Sequence, residues 1–452
     1  MSRQDTLDSR PSPRPKLTLL LLRTLVVLLL SAPVIVLLLS IETSPSHVAE
    51  QQFSDEELSR IETLLLESAP QSPSNVSRHE LQLNAEELNL LLRYAANIMN
   101  LSSDWAARTQ LSQGKLNAQL SVRLSAGPLP LYLNVAADFI EDDNLLTLDA
   151  LRIGRIGVPN GFLQFTLQRL RGNLATENIA YLDFSELINN IESIELDQNQ
   201  MTVSLQWDPN LISRLGNQAQ QLFISELDQQ RIIDYYAIIT NIAAAVPTNI
   251  RAVSINAFLS PLFAAAQEKT LAGSDPIAEN RTAFQTLAIY LNEESIAQLI
   301  GEEAAAEIEP APFIEARLQR RQDLAQHLVS IAAITASAGA DLAQMLSTTK
   351  EAYDARYRSG FSFSDLTANS VGVSIARLAT NDSETAKIMQ GRLANLQNES
   401  DYMPEVGNNL DGLSETDFNA MYTDRNSPQY AERLAEIQAL IDSRPLFSGL
   451  LQ

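Results

Sequence analysis

The stretch Leu17–Ile41, LTLLLLRTLVVLLLSAPVIVLLLSI, constrains this chain more than any other feature. From Thr24 to Ile41 it runs 18 residues without a charge. As a helix those residues rise about 27 Å, close to the roughly 30 Å hydrocarbon core of a bilayer. Arg23 interrupts the run near its start, where a long side chain can reach the headgroups. Pro33 falls mid-span and predicts a kink, which membrane helices tolerate. Ahead of the uncharged core stand Arg3, Arg10, Arg14, Lys16 and Arg23 against Asp5 and Asp8, a net of +3. The whole chain carries −23, so the remainder carries −26. An excess of Lys and Arg on one flank holds that flank in the cytoplasm. The expectation is a signal-anchor: a cytoplasmic tail over 1–16, one transmembrane helix over 17–41 in the inner (cell) membrane, and the bulk of the chain in the periplasm. A cleaved signal peptide shares the basic head. Its apolar region is shorter, however, and Ser40-Ile41-Glu42 is a poor cleavage site.

Composition removes several function classes. The chain has no cysteine. Disulfide scaffolds, thiolate metal sites, Cys nucleophiles and lipid-anchored cysteines are therefore absent. Only three histidines occur, His47, His79 and His327, too few for a multi-His centre. Fifty-five acids against 32 bases argue against a nucleic-acid partner. No GxSxG, HExxH, P-loop or GxGxxG pattern occurs, and no cofactor is implied.

The periods of the hydrophobic pattern divide the remainder. Residues 42–78 read as a stalk with a helix starting at Ser54, broken by the Pro- and Ser-rich run after Ser68. Residues 79–207 read as a sheet unit opened by a helix that Asn84 caps. Lys115–Ser125 then alternates, placing Leu116, Ala118, Leu120, Val122 and Leu124 on one face. Leu131–Ile140, Leu145–Pro159, Ile191–Leu196 and Met201–Trp207 continue as strands, with a helix predicted over Gly161–Leu174. From residue 208 the pattern is helical to 398, and 399–452 is a loop-rich tail with a last helix near Gln429–Ile441. The fold class is α+β: a transmembrane helix, an antiparallel sheet with a packed helix, and an all-α C-terminal domain.

Candidate chemistry concentrates between Asp323 and Ala376. His327 and Ser330 share a helical face, as do Glu351 and Asp354 on the next helix beside Lys350. Ser364 is positioned to cap a third helix, which aligns Asp365, Asn369 and Gly372. The candidate site residues are His327, Glu351, Asp354, Asp365 and Asn369, with small residues such as Ala332 and Gly372 allowing close helix approach. An imidazole beside a carboxylate can act as a general base or hold a metal. The alternative is a buried polar network that pins three helices in register, with Asp365 capping or pairing with Lys350.

The order His327-Leu328-Val329-Ser330, Lys350-Glu351-Ala352-Tyr353-Asp354 and Phe361-Ser362-Phe363-Ser364-Asp365-Leu366-Thr367-Ala368-Asn369-Ser370-Val371-Gly372 resembles the core of YfiM-like periplasmic proteins and, more loosely, the VanZ-like family. The resemblance implies a bacterial envelope protein without naming a reaction. Leu328 departs from the usual Phe after the His. The helix from Leu83 to Leu92, on Leu88, Asn89 and Leu92, resembles the opening of tubular lipid-binding envelope domains. That likeness implies a lipid groove lined by Leu116, Leu120, Leu124, Leu131 and Leu133. The same leucines serve equally as sheet core. The expected function is thus a membrane-anchored, non-enzymatic binding or scaffold protein with a lipid or envelope-protein partner; the alternative is an envelope hydrolase or metal-dependent enzyme built on His327, Glu351 and Asp365.

Overall fold

The structure, a computed structural model, describes residues 39–48, 53–67, 76–98, 105–125, 130–159, 161, 163, 186, 189–208, 226–425 and 427–450. It is α+β, with antiparallel sheets in the N-terminal half and helices in the C-terminal half. Among the described residues no helix is long and apolar enough to cross a membrane. The stretch Leu17–Ile41 lies outside them except for its last three residues, as do most of the helix expected over Gly161–Leu174 and the start of the helical region after Pro209.

The larger sheet runs β3 (Trp105–Ser112), β4 (Lys115–Ser125), β5 (Leu131–Asp142), β6 (Leu145–Ile153) and β7 (Ile156–Val158), each antiparallel to the next. A sixth short strand, β1 (Ile41–Glu42), pairs with β5 at Leu133 and Tyr132. There it takes the lane that β6 leaves at the Gly154 turn, since β6 ends with Ile153 opposite Val135. Gly154 is required at this crossing. Its φ is +55°, and a Cβ would sit 2.5 Å from the Leu39 carbonyl oxygen. A second antiparallel sheet orders β2 (Ser77–Asn84), β9 (Gln200–Trp207) and β8 (Ile191–Leu196). The sheets share a core of Leu116, Ile194, Leu196 and Met201, with Leu88, Phe139 and Leu146 packed on it.

Where the sequence suggests a stalk, the described residues are built into the body. Ser46 N donates to Ser121 Oγ at 3.0 Å and Asn134 Nδ2 donates to the Ser44 carbonyl at 3.0 Å. Helix α1 (Asp55–Glu67) starts at a capping box, in which Glu57 N donates to Ser54 Oγ and Ser54 N to the Glu57 carboxylate. Its Ile61 is fully buried against Tyr94 of α2 (Ala85–Ile98) and against Leu346 of the helical half. The same reciprocal bonds between Asn84 and Glu87 open α2.

The helical half contains α3 (Glu226–Ala245), α4 (Asn256–Leu271), α5 (Pro276–Leu291), two single turns α6 (Ala297–Ile300) and α7 (Glu302–Ala305), α8 (Gln322–Ala338), α9 (Ala340–Tyr357), α10 (Phe363–Thr380), α11 (Ser383–Ala394), α12 (Glu415–Tyr422) and α13 (Pro428–Asp442). It is not purely helical. β10 (Ala252–Ser254) pairs in parallel with β11 (Glu315–Arg317) and delivers the chain to α8. α10 is central and buried nearly all round, including polar Ser364, Thr367, Asn369 and Ser374. It crosses α8 so closely that a Cβ on Gly372 would overlap the Leu328 carbonyl oxygen. That contact fixes the relative height of the two helices, and so of the side chains between them.

Candidate functional site

Three of the predicted site residues meet where α8, α9 and α10 converge. One nitrogen of His327 and one carboxylate oxygen each of Glu351 and Asp365 lie within 4.8 Å of one another. His327 Nε2 stands 3.4 Å from Asp365 Oδ2. His327 and Asp365 are each about one-sixth exposed, whereas Glu351 is 1% exposed.

Each group has a second polar atom held by the protein. His327 Nδ1 lies 3.1 Å from Asn369 Oδ1, one turn along α10 from Asp365. With the amide oxygen as acceptor, Nδ1 carries the proton and Nε2 presents its lone pair. Glu351 Oε2 accepts the backbone N–H of Ser362 at 3.1 Å, while its Oε1 is buried with no partner. Asp365 Oδ1 accepts from Arg321 Nη2 at 3.0 Å. In that tautomer a nitrogen lone pair and two carboxyl groups converge, and burial keeps the carboxyl of Glu351 protonated near neutral pH.

Burial sets the titration of all three. It lowers His327, with the charge of Lys350 acting in the same direction, and so favours the neutral imidazole. It raises Asp365, although His327 and Arg321 pull the other way. It pushes Glu351 up to about 8.

The frame around the cluster comes from the Arg321 segment and the chain near residue 411. Gln319 and Arg320 both have positive φ, in a tight turn closed by paired backbone bonds between Leu318 and Arg321. Such angles are costly for residues other than glycine. The turn is clamped by Gln319 N to Glu399 Oε2 at 2.7 Å and Gln319 Nε2 to the Pro404 carbonyl at 2.6 Å. It delivers Arg321 to three carboxylates: Asp323, Asp365 and Asp411. Asp411 in turn accepts from Ser362 Oγ and Ser364 N, both at 2.9 Å. Arg321 and Asp411 also line a cleft of about 750 Å³, shared with Gln319, Arg320 and Glu399, whose lining does not include His327, Glu351 or Asp365.

Other expectations fare differently. Asp354 does not join the cluster; it accepts from Lys350 Nζ at 2.7 Å on its own helix. Lys350 is thus not the partner of Asp365, because Arg321 occupies that place. Ser330 accepts from Asn292 Nδ2 at 2.8 Å rather than facing the cluster. The cap of α10 is Ser362, whose Oγ accepts from Asp365 N, and not Ser364, which lies in the first turn. Arg321 and Asp411 are not among the candidates that the sequence suggests, and Asp323 appears there only as the start of the candidate region. Arg321 and Asp323 flank the start of α8 and are visible as an Arg-x-Asp pair, but nothing local marks Asp411. Of the proposed groove leucines, Leu116 is core, Leu120, Leu131 and Leu133 are half-buried, and Leu124 is exposed.

No family model, no curated protein and no solved structure matches this chain.

Proposed function

We propose that the protein is tethered to the membrane of the bacterial envelope and that its helical half holds a metal-dependent hydrolytic site. His327, Glu351 and Asp365 would take one divalent transition-metal ion. The observation that carries this reading is the set of converging groups, each oriented by a bond to its other polar atom. Imidazole ligands of metals regularly have their second ring nitrogen held by an oxygen, and ligating carboxylates are likewise anchored. The 3.4 Å between Nε2 and Oδ2 suits two ligands each about 2.1 Å from a shared ion at a tetrahedral angle. One nitrogen and two oxygens favour zinc, manganese or ferrous iron over calcium or copper(I).

Three protein ligands leave coordination positions open, as in catalytic rather than structural sites. A metal there would supply a water ionised near neutral pH. Asn369 fixes the imidazole tautomer and Arg321 restrains Asp365. Arg321, which bonds Asp365, also lines the neighbouring cleft. Membrane attachment rests on Leu17–Ile41, and the resemblance to YfiM-like envelope proteins accords with that location.

A second reading, non-enzymatic binding of a lipid or an envelope protein by the sheet, is favoured by the exposed Leu124 beside half-buried Leu120, Leu131 and Leu133.

Calorimetric titration of the detergent-solubilised, metal-stripped full chain with Zn²⁺ and Mn²⁺ tests the metal centre. One equivalent should bind, and Glu351→Gln or Asp365→Asn should weaken binding at least tenfold. No binding of either ion would leave a polar network pinning three helices.

A further inference from the structure

Two short strands in the helical half leave a hydrogen-bonding edge open. In the parallel pair of β10 and β11, Glu315 N donates to the Arg251 carbonyl at 3.1 Å and Ile255 N to the Arg317 carbonyl at 2.9 Å. Arg251, Val253 and Ile255 thus direct their backbone groups to β11. The alternate residues, Ala252 and Ser254, each turn an N–H and a carbonyl to the opposite side. Among the described residues no strand lies there, and these four groups have no partner. An unpaired edge is a template for another chain. β10 reads Ala252-Val253-Ser254 and carries none of the charges or prolines that usually blunt an edge.

This edge forms part of a cleft. Ala252, Val253 and Ser254 line it together with Arg320. One carboxylate ties the strand to the turn that carries Arg320: Glu399 accepts from Ser254 Oγ at 2.6 Å and from Gln319 N at 2.7 Å. Other charges in the cleft are held within the protein, Arg317 by Glu315, Arg321 by its three carboxylates, and Asp411 by Arg321, Ser362 and Ser364. Arg320 and Glu405 also line the cleft, are exposed, and have no partner among the described residues.

Two N–H and two carbonyl groups, on residues about 6.6 Å apart, match an extended backbone. A phosphate or a sugar has no such alternation of donor and acceptor. Arg320 suits one carboxylate on that backbone, and Glu405 disfavours a run of acids.

We propose that this cleft binds an extended peptide segment of another protein, which adds to β10 as a strand and sets one acidic side chain against Arg320. Main-chain bonds to Ala252 and Ser254 supply affinity, and Arg320 supplies selectivity. The site is separate from His327, Glu351 and Asp365 and needs no metal.

The probe is a fluorescein-labelled, end-capped peptide of alternating valine and threonine with one central aspartate. Its anisotropy is titrated with detergent-solubilised full-length protein in chelator, so the outcome is independent of the metal centre. Saturable binding is expected, at least fivefold weaker when lysine replaces the aspartate. Arg320→Gln should erase that preference. Ala252→Pro removes an outward N–H and no bond to β11, and should weaken binding at least tenfold at an unchanged melting temperature. Hydrogen exchange over residues 250–256, read by mass spectrometry, should slow when peptide is added. This last measurement decides the matter if the proline variant melts early. No saturable binding, full affinity in a stably folded Ala252→Pro, or unchanged exchange over 250–256 overturns the proposal. A wild-type dimer in sedimentation that Ala252→Pro dissolves overturns it in favour of a second copy of the chain.

Discussion

His327 Nε2 faces Asp365 Oδ2 across 3.4 Å, with the carboxyl of Glu351 completing the group. A neutral imidazole in that tautomer repels the carboxylate unless a proton or a metal cation lies between. Asn369 holds the imidazole from behind, and Arg321 holds the carboxylate. Burial shifts the titration of all three groups, and several consequences are measurable.

Glu351 should make the metal-free protein lose stability as pH rises. Its carboxyl titrates near 4.5 when unfolded and is pushed up to about 8 by burial. Below the first value it is neutral in both states and costs nothing. Between the two the unfolded chain sheds the proton first, so stability falls, and the loss is complete above about 8. Glu351→Gln should remove this decline and stabilise the metal-free protein at pH 8 by on the order of 3 kcal/mol. Urea unfolding of both proteins at pH 5 and pH 8 measures it. Equal slopes with pH would show that Glu351 is not the buried, protonated group.

Metal should reverse that penalty. At a free concentration one hundred times its dissociation constant, a bound ion adds about 2.7 kcal/mol to the stability of the folded chain. Melting curves with and without Zn²⁺, and again after chelation, should show a reversible upward shift in the wild type. The shift should be smaller in Asp365→Asn, by about 1.3 kcal/mol or more at the same metal concentration.

Asn369→Ala should act on the metal through the imidazole. Loss of an orienting partner typically lowers affinity by about 10–100-fold. Titration of the variant should show that loss, while the ion still binds with one equivalent per chain. Unchanged affinity would mean that the Nδ1 contact does not set the ligand.

Gly372→Ala should separate α8 from α10. The added methyl meets the Leu328 backbone oxygen, which cannot rotate away as a side chain could. Overpacking of this kind costs about 1–3 kcal/mol, and metal affinity should fall with it because His327 and Asp365 ride on the two helices. Chemical denaturation and metal titration of one variant read both effects.

Much of this site was legible because helical spacing is local. The three-residue and four-residue steps that put Asp365, Asn369 and Gly372 on one face of α10 are visible without a structure. The sheet was legible through alternation, as in Lys115–Ser125. β2 was not: its residues Ser77–Asn84 alternate, but they are mostly polar, and their strand identity comes from pairing with β9, more than a hundred positions away. Asp411 was hidden for the same reason. It reaches Arg321 and Ser362 from a loop whose own sequence carries no period. The stalk misled because amphipathic α1 reads the same whether its apolar stripe waits for a partner or, as here, covers Tyr94 and Leu346.

Diffraction from crystals of the zinc- or manganese-loaded protein, collected at the absorption edge of the ion, tests the metal centre most directly. The expected result is one anomalous peak about 2.0–2.3 Å from nitrogen or oxygen atoms of His327, Glu351 and Asp365 together. An empty map at that position in crystals grown with excess metal, with the three side chains placed as described, would contradict it.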